Sequence, residues 1–257
     1  ELAAARIKIL SPEGINERLN DRFKLLTGGK RTALPRQQTL RALIDWSYDL
    51  LSEQEKLLLQ RLTVFSGGWR LEASENICSD EIINEDGIID LLGKLADKSL
   101  IKVNESLNYN YYLLLETIKK YGDEKLTESG KRDEFQKKHF DYFYKLAENS
   151  EEKLTGNNQK EWLMKLDSDI GNLREALNRA LINEPVLSLQ MSVLLGKFWE
   201  LRGYYAEGLE YLRKSSENSE SADLIWKARS VYLKGLFLIN QGNYSDSKKF
   251  LKESQKL

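Results

Sequence analysis

The 257-residue chain carries 39 basic and 40 acidic side chains, a net charge of −1, so no global field draws it toward a polyanion. Its single cysteine excludes an internal disulfide and fits a reducing, cytoplasmic setting; one histidine and one cysteine cannot build the usual metal-ligand sets. With three prolines, 41% hydrophobic residues and no run of 18 apolar residues, the composition favours an all-α protein without a membrane span.

In chain order, residues 1–27 read as two helices. Ser11-Pro12-Glu13 marks the second start, and Ile15, Leu19, Phe23 and Leu26 share one face. Thr27-Gly28-Gly29-Lys30-Arg31-Thr32 resembles a phosphate loop only superficially. Lys24 stands where the first glycine is required, and Arg31 stands where Ser or Thr must follow the lysine, so a basic linker is the better reading. Leu40, Leu43, Ile44, Ser47 and Leu51 then recur at helical spacing. Ser52-Glu53-Gln54-Glu55 is a capping box that opens a helix lined by Leu58, Leu59, Leu62 and Phe65, and Ser66-Gly67-Gly68 ends it.

Residues 71–78 form a short helix, residues 80–87 an acidic loop, and Ile88, Leu91, Leu92 and Leu95 a further helix. Leu100-Ile101-Lys102-Val103 and Tyr109-Asn110-Tyr111-Tyr112-Leu113 flank a polar turn, a hairpin signal. Helices followed by a hairpin are the order of a winged helix-turn-helix. A base-reading helix presents Arg, Lys, Asn or Gln, whereas residues 87–99 offer Lys94 and Lys98 against Asp90 and Asp97. Packing is therefore preferred over DNA reading for this module. His139 falls on the apolar side of its helix between Phe135 and Phe143, a packed histidine with no catalytic partner in the pattern.

Residues 151–158 are polar, with Gly156 as a joint, and Trp162, Leu166, Ile170, Leu173 and Leu177 carry a helical stripe onward. RGYYAEGLEYLRKSS then superposes on QGNYSDSKKFLKESQ at an offset of 39 residues, as from Gly203 to Gly242. Leu194, Gly196 and Phe198 meet Leu233, Gly235 and Phe237; Tyr205 meets Tyr244, and Gly208 meets Ser247. Gly196 and Gly235 are expected where the two helices of one hairpin approach, and Trp199, Tyr211 and Phe237 at packing positions. Both chain ends fall inside helical patterns, which reads as a piece of a longer protein.

LPRQQTLRALIDWSYDLLSEQEKLLLQRLTVFSGGW, followed by LLGKLADKSLI, YLLLETIKKYGDEKL and WLMKLDSDIGNLREAL, resembles the region after the nucleotide-binding core in bacterial STAND-class (NB-ARC-like) signalling ATPases. The paired repeats resemble tetratricopeptide (TPR) hairpins, although their period exceeds the usual ~34 residues. The resemblance implies the end of an upstream helical domain over residues 1–30, a winged-helix domain over 31–130, linker helices over 131–183 and TPR-like repeats over 184–257. The fold class is accordingly all-α with one small β-hairpin wing, a winged helix followed by an α-solenoid. Many NB-ARC proteins carry Met-His-Asp on the helix after the hairpin. Here Leu114-Leu115-Glu116 stand there, and Leu115 cannot hydrogen-bond a phosphate.

The resulting expectation is a non-catalytic regulatory segment, with no cofactor of its own; ATP or ADP would belong to an upstream core. Its partners would be that core, in the same molecule, and a protein held by the repeat face, with neither DNA nor membrane. Lys197, Glu200, Arg229, Tyr232 and Asn240, on the first helix of each hairpin, are the candidate partner-binding residues. A DNA-binding winged-helix regulator with a TPR sensor and a stand-alone adaptor are the alternatives; an enzyme ranks last.

Overall fold

The computed structural model describes residues 40–106 and 109–256. The expectations for residues 1–39, and for the hairpin tip at Leu107 and Asn108, fall outside these described residues. The described chain is helical apart from three short strands and forms two compact units, residues 40–63 with 78–132 and residues 64–77 with 133–256. Residues 64–77, between two helices of the first unit in sequence, thus group with the second.

The first unit contains α1 (Leu40–Asp49), α2 (Glu53–Arg61), α4 (Ile88–Asp97), the hairpin β2 (Ile101–Ser106) and β3 (Tyr109–Leu114), and α5 (Glu116–Glu128). α2 opens on the expected capping box: the Glu55 N–H donates to Ser52 Oγ at 3.3 Å, and the Ser52 N–H donates to Glu55 Oε2 at 2.7 Å. Leu58, Leu59 and Leu62 are fully buried, as are Ile88, Leu92 and Leu95 of α4, because each helix repeats its apolar residues at the helical period. On α1 only Ile44 of the helical stripe is buried, with Leu51 just beyond it; Leu43 faces outward.

α2 packs against both α4 and α5. An added Cβ at Gly122 would lie 2.7 Å from Thr63 Cγ2 and 3.3 Å from the Leu59 carbonyl oxygen, so glycine lets α5 approach the α2 backbone. Two residues past α4, Ser99 takes a left-handed φ of +57°, and the chain turns there into β2. The antiparallel register runs from Ile101 opposite Leu114 to Ser106 opposite Tyr109.

Below this layer, Arg61 is buried beneath the acidic loop. Its Nη1 donates to the Cys78 carbonyl and its Nη2 to Asp80 Oδ2, both at 2.6 Å. Burial alone would raise the Asp80 carboxyl. The Arg61 hydrogen bond and the N–H groups of Ile83 and Ile82 outweigh it and hold the carboxyl at about 2.

The second unit begins with Val64 and Phe65 and the strand β1 (Gly68–Arg70), followed by α3 (Leu71–Cys78), of which residues 71–77 belong here. α6 (Arg132–Lys153), α7 (Gln159–Ser168) and α8 (Ile170–Asn183) follow. Phe65 stacks on Trp69 at 5.0 Å, and His139 lies 4.6 Å from the Phe143 ring. His139 is packed, as its position on the apolar side predicted; its Nε2 lies 3.3 Å from Asn172 Oδ1. Asn172 also accepts from the Ser66 N–H and donates from Nδ2 to the Gly68 carbonyl, each at 2.7 Å. Both backbone partners fix which end of the amide is oxygen, so His139 donates through Nε2–H. A Cβ on Gly171 would lie 2.4 Å from the Ser66 carbonyl oxygen, a second reason that α8 can seat there. The stripe from Trp162 to Leu177 is not one helix: it breaks at Asp169, between α7 and α8.

The repeats form two helical hairpins. The first joins α9 (Pro185–Leu194) and α10 (Gly196–Arg202), continuous but for a turn at Leu195, to α11 (Tyr205–Glu217); the second joins α12 (Leu224–Asn240) to α13 (Tyr244–Ser254). Gly203 and Gly242 take φ of +71° and +79° at equivalent turns. The following N–H groups repeat as well, Tyr204 to the Trp199 carbonyl and Asn243 to the Leu238 carbonyl. The 39-residue repeat is therefore a structural one. Trp199 and Phe237 are buried, and Tyr211 stacks on Trp199 at 5.8 Å.

The small residues act at two different contacts. A Cβ on Gly235 would lie 2.8 Å from Leu251 Cγ, where α12 meets α13 of the same hairpin, as expected. At Gly196 the near neighbour is instead Leu233 Cδ1 at 2.5 Å, on the first helix of the next hairpin. This corrects the assignment of Gly196: its missing side chain makes room between hairpins.

Two outcomes follow. Asp80→Ala leaves a buried guanidinium without its carboxylate and should cost about 3–5 kcal/mol in urea unfolding. Because the folded carboxyl is depressed, the wild-type contribution is present above the ordinary carboxylate range and should fade as pH drops through about 2. Gly235→Leu should overpack the α12–α13 contact by roughly 1–3 kcal/mol, lowering the thermal midpoint, whereas substitution at the exposed Gly93 should not.

Candidate functional site

Four places could carry function. On α4, side chains at Ile88, Leu91, Leu92 and Leu95 turn inward, which leaves Ile89, Asp90, Gly93, Lys94 and Asp97 outward. Lys98 pairs with Glu55, a buried carboxylate of the α2 capping box. Lys94 has no ion-pair partner among the described residues and stands between Asp90 and Asp97. The face a duplex would meet thus holds one uncommitted cation, two carboxylates and an exposed isoleucine.

Leu115, which the resemblance would put at a nucleotide-sensing position, precedes the first residue of α5, and both Leu115 and Glu116 are exposed. Leu115 supplies no side-chain hydrogen bond, so the start of α5 has no polar cap at that residue.

The five repeat residues divide. Lys197 and Glu200 pair with each other at 2.9 Å. Arg229 pairs with Glu151 of α6 and lies 5.0 Å from the Trp226 ring centroid. Asn240 donates to the Leu236 carbonyl at 3.0 Å, within its own helix. Tyr232 is half exposed, and Ile225 and Ile239, seven residues to either side, are exposed with it. That spacing puts all three on one face of α12, with Arg229 and Asn240 along its margin. Lys197 and Glu200 belong to α10.

Pattern reading missed a polar cluster in the second unit. A cavity of about 160 Å³ is lined by Glu72 and Asn76 of α3, Tyr142, Lys145, Leu146 and Asn149 of α6, and Trp162 and Lys165 of α7. Lys165 lies 3.4 Å from Glu72 and 5.4 Å from the Trp162 ring centroid. One turn beyond Lys165 is Asp169, 3% exposed, with Oδ1 unpaired among the described residues. Burial pushes its carboxyl up to about 6 against the pull of Arg70 and Lys165. Tyr142 is likewise pushed upward, by burial and by the charges of Glu72 and Asp169. The signal available in sequence was weak: an Asp between two helical segments reads as a cap, and only packing buries it. Among the described residues no group of three or more His, Cys, Asp or Glu side chains could hold a metal, and no helix is long and apolar enough to cross a membrane.

No family model and no solved structure matches the chain. It is 36% identical over 219 residues to a Mycobacterium tuberculosis (strain ATCC 25618 / H37Rv) protein named "Putative HTH-type transcriptional regulator", covering 85% of this chain and 25% of that protein. A Mycobacterium bovis protein of the same name matches to the same extent. A second M. bovis protein, named only as uncharacterized, is 40% identical over 134 residues, 52% of this chain and 34% of its own length. The chain thus spans about a quarter of the length of the regulators it matches.

The buried acid has a measurable consequence. A raised folded-state value means that the native protein holds the Asp169 proton more tightly than the unfolded chain. Its stability contribution is full below the ordinary carboxylate range and is lost as pH rises through about 6. Asp169→Asn should remove this loss, on the order of 2 kcal/mol between pH 4 and pH 7, so its urea midpoint should vary less with pH than the wild type's.

Proposed function

We propose that this chain is a regulatory and protein-interaction segment of a bacterial transcriptional regulator, non-catalytic itself, in which the hairpins of the second unit engage a protein partner. The first unit, a winged helix, would act on a nucleotide-binding core of the STAND type rather than read DNA, and the hairpins would be the start of a TPR-like array. The observation that carries this reading is the outward face of α4. Lys98 is committed to Glu55, and Lys94 stands alone beside Asp90 and Asp97. Phosphate neutralisation supplies nearly all of non-specific duplex affinity, and this face cannot provide it. The exposed Ile225, Tyr232 and Ile239 stripe has the mixed aromatic and aliphatic character of an interface, with Arg229 and Asn240 beside it and Lys197 and Glu200 on the preceding hairpin.

The names of the mycobacterial relatives favour a second reading, in which the winged helix itself is the DNA-binding element. The matched stretch is only a quarter of each regulator, which leaves room for a helix-turn-helix elsewhere in those proteins, and the near-neutral outward face of α4 argues against its lying here.

The two readings separate in one comparison. Tyr232→Ala should weaken partner capture about tenfold or more without moving the thermal midpoint, and Lys94→Glu should leave capture unchanged. Duplex binding by the wild type should be weak and show little salt dependence. A steep loss of duplex affinity with salt, abolished by Lys94→Glu, would instead establish the DNA-binding reading.

A further inference from the structure

The cavity between α3, α6 and α7 takes one face from each of three helices, and every residue lining it belongs to the second unit. Glu72 and Asn76 stand at i and i+4 of α3, and Trp162 and Lys165 at i and i+3 of α7. Tyr142, Lys145, Leu146 and Asn149 fall at i, i+3, i+4 and i+7 of α6. Those spacings put each set on a single helical face, so helix packing rather than a loop builds the walls.

Its charges differ from wall to wall. α3 brings the Glu72 carboxylate, whereas α6 and α7 bring the Lys145 and Lys165 ammonium groups. Lys165 Nζ lies 3.4 Å from Glu72 Oε2, longer than the ~2.7–2.9 Å of a charge-assisted hydrogen bond. A carboxylate has several acceptor sites and an ammonium several donors, and this one loose contact occupies a single site on each. Lys145 has no ion-pair partner among the described residues. Tyr142 supplies a further donor, because burial and the carboxylates of Glu72 and Asp169 keep its phenol protonated. Apolar surface comes from the buried Leu146 and from the Trp162 ring, whose centroid is 5.4 Å from Lys165 Nζ.

We propose that this cavity binds a free α-amino acid with a branched aliphatic side chain, of leucine size. The ligand carboxylate meets Lys145, Lys165 and the Tyr142 hydroxyl, its ammonium meets Glu72, and its side chain rests on Leu146 and Trp162. A zwitterion enters the loose Lys165–Glu72 contact and satisfies both ends. A simple anion leaves Glu72 facing a like charge, and a simple amine leaves two lysines facing one. Size follows from volume: about 160 Å³ is close to the ~150 Å³ of a cavity that holds one benzene ring, room for a four-carbon side chain but not for a nucleoside. The exposed Glu72 and Lys145 then hold the charged ends at the rim. The site gives this segment a small-molecule input, and it stands whether or not the hairpins hold a partner.

The test is an NMR titration of this chain read at the Trp162 indole N–H, a resonance identified by its loss in Trp162→Phe. Four probes share one skeleton: leucine, 4-methylpentanoate without the amine, 3-methylbutylamine without the carboxylate, and N-acetylleucinamide with neither charge. Leucine should bind with a Kd of about a millimolar or below, and each of the others at least about tenfold more weakly. Glu72→Gln should weaken leucine about tenfold and leave 4-methylpentanoate unweakened, whereas Lys145→Met should weaken both. Both side chains are exposed, so neither substitution should move the thermal midpoint. Absence of a leucine shift at about 10 mM overturns the proposal, as does leucine binding that Glu72→Gln leaves unchanged. Equal binding of leucine and N-acetylleucinamide also overturns it, since the cavity would then take an uncharged leucyl group, such as a side chain of another protein.

Discussion

The second unit depends on one buried amide. Asn172 is fully enclosed and meets three polar groups beside an aromatic core: the Ser66 N–H, the Gly68 carbonyl and the His139 ring. Leaving any one of them unsatisfied would cost on the order of 1–3 kcal/mol. Asn172 thereby ties down both sides of the exposed Gly67, and Gly171 must lack a side chain for the two backbones to come that close. Phe65, stacked on Trp69 across the turn, is then placed against His139 and Phe143. One polar residue and one glycine thus decide which unit a short stretch of chain joins.

A second constraint acts through the helical hairpins. Gly196, Gly208 and Gly235 each stand where an added methyl group would run into a neighbouring side chain, and each sets how closely two helices approach. Large residues fill what the small ones leave: Leu233 over Gly196, Phe237 over Gly208, Leu251 over Gly235. The contact is jigsaw-like, and the repeat propagates it along the chain because the same small and large positions recur.

Electrostatics explain why a chain with 79 charged side chains has so little field to offer. The strongest cations are used internally. Arg61 is sealed over Asp80, Lys98 holds Glu55, Arg229 holds Glu151, and Arg174 makes two hydrogen bonds to Glu207 at 2.8 and 2.7 Å. What remains on the α4 face is close to neutral.

Much of this architecture was legible in the residue pattern. The capping box at Ser52 and Glu55, the left-handed turn at Gly67, the hairpin from Ile101 to Leu114 and the 39-residue repeat are local features, encoded in neighbours a few residues apart. The packed role of His139 was also readable, because its spacing from Phe135 and Phe143 put it on the buried side. Other features were beyond the pattern's reach. Asn172 and Asp169 look like ordinary polar helix residues until distant segments close over them. Leu43 shares the α1 periodicity of Ile44 but lies outside the core. Gly196 makes room for the next hairpin rather than for its own partner helix. Sequence alone determined the elements and their turns, since those depend on local backbone preference and helical period. Tertiary structure alone decided which polar groups are buried and which cations are spent, since each depends on residues far apart in the chain.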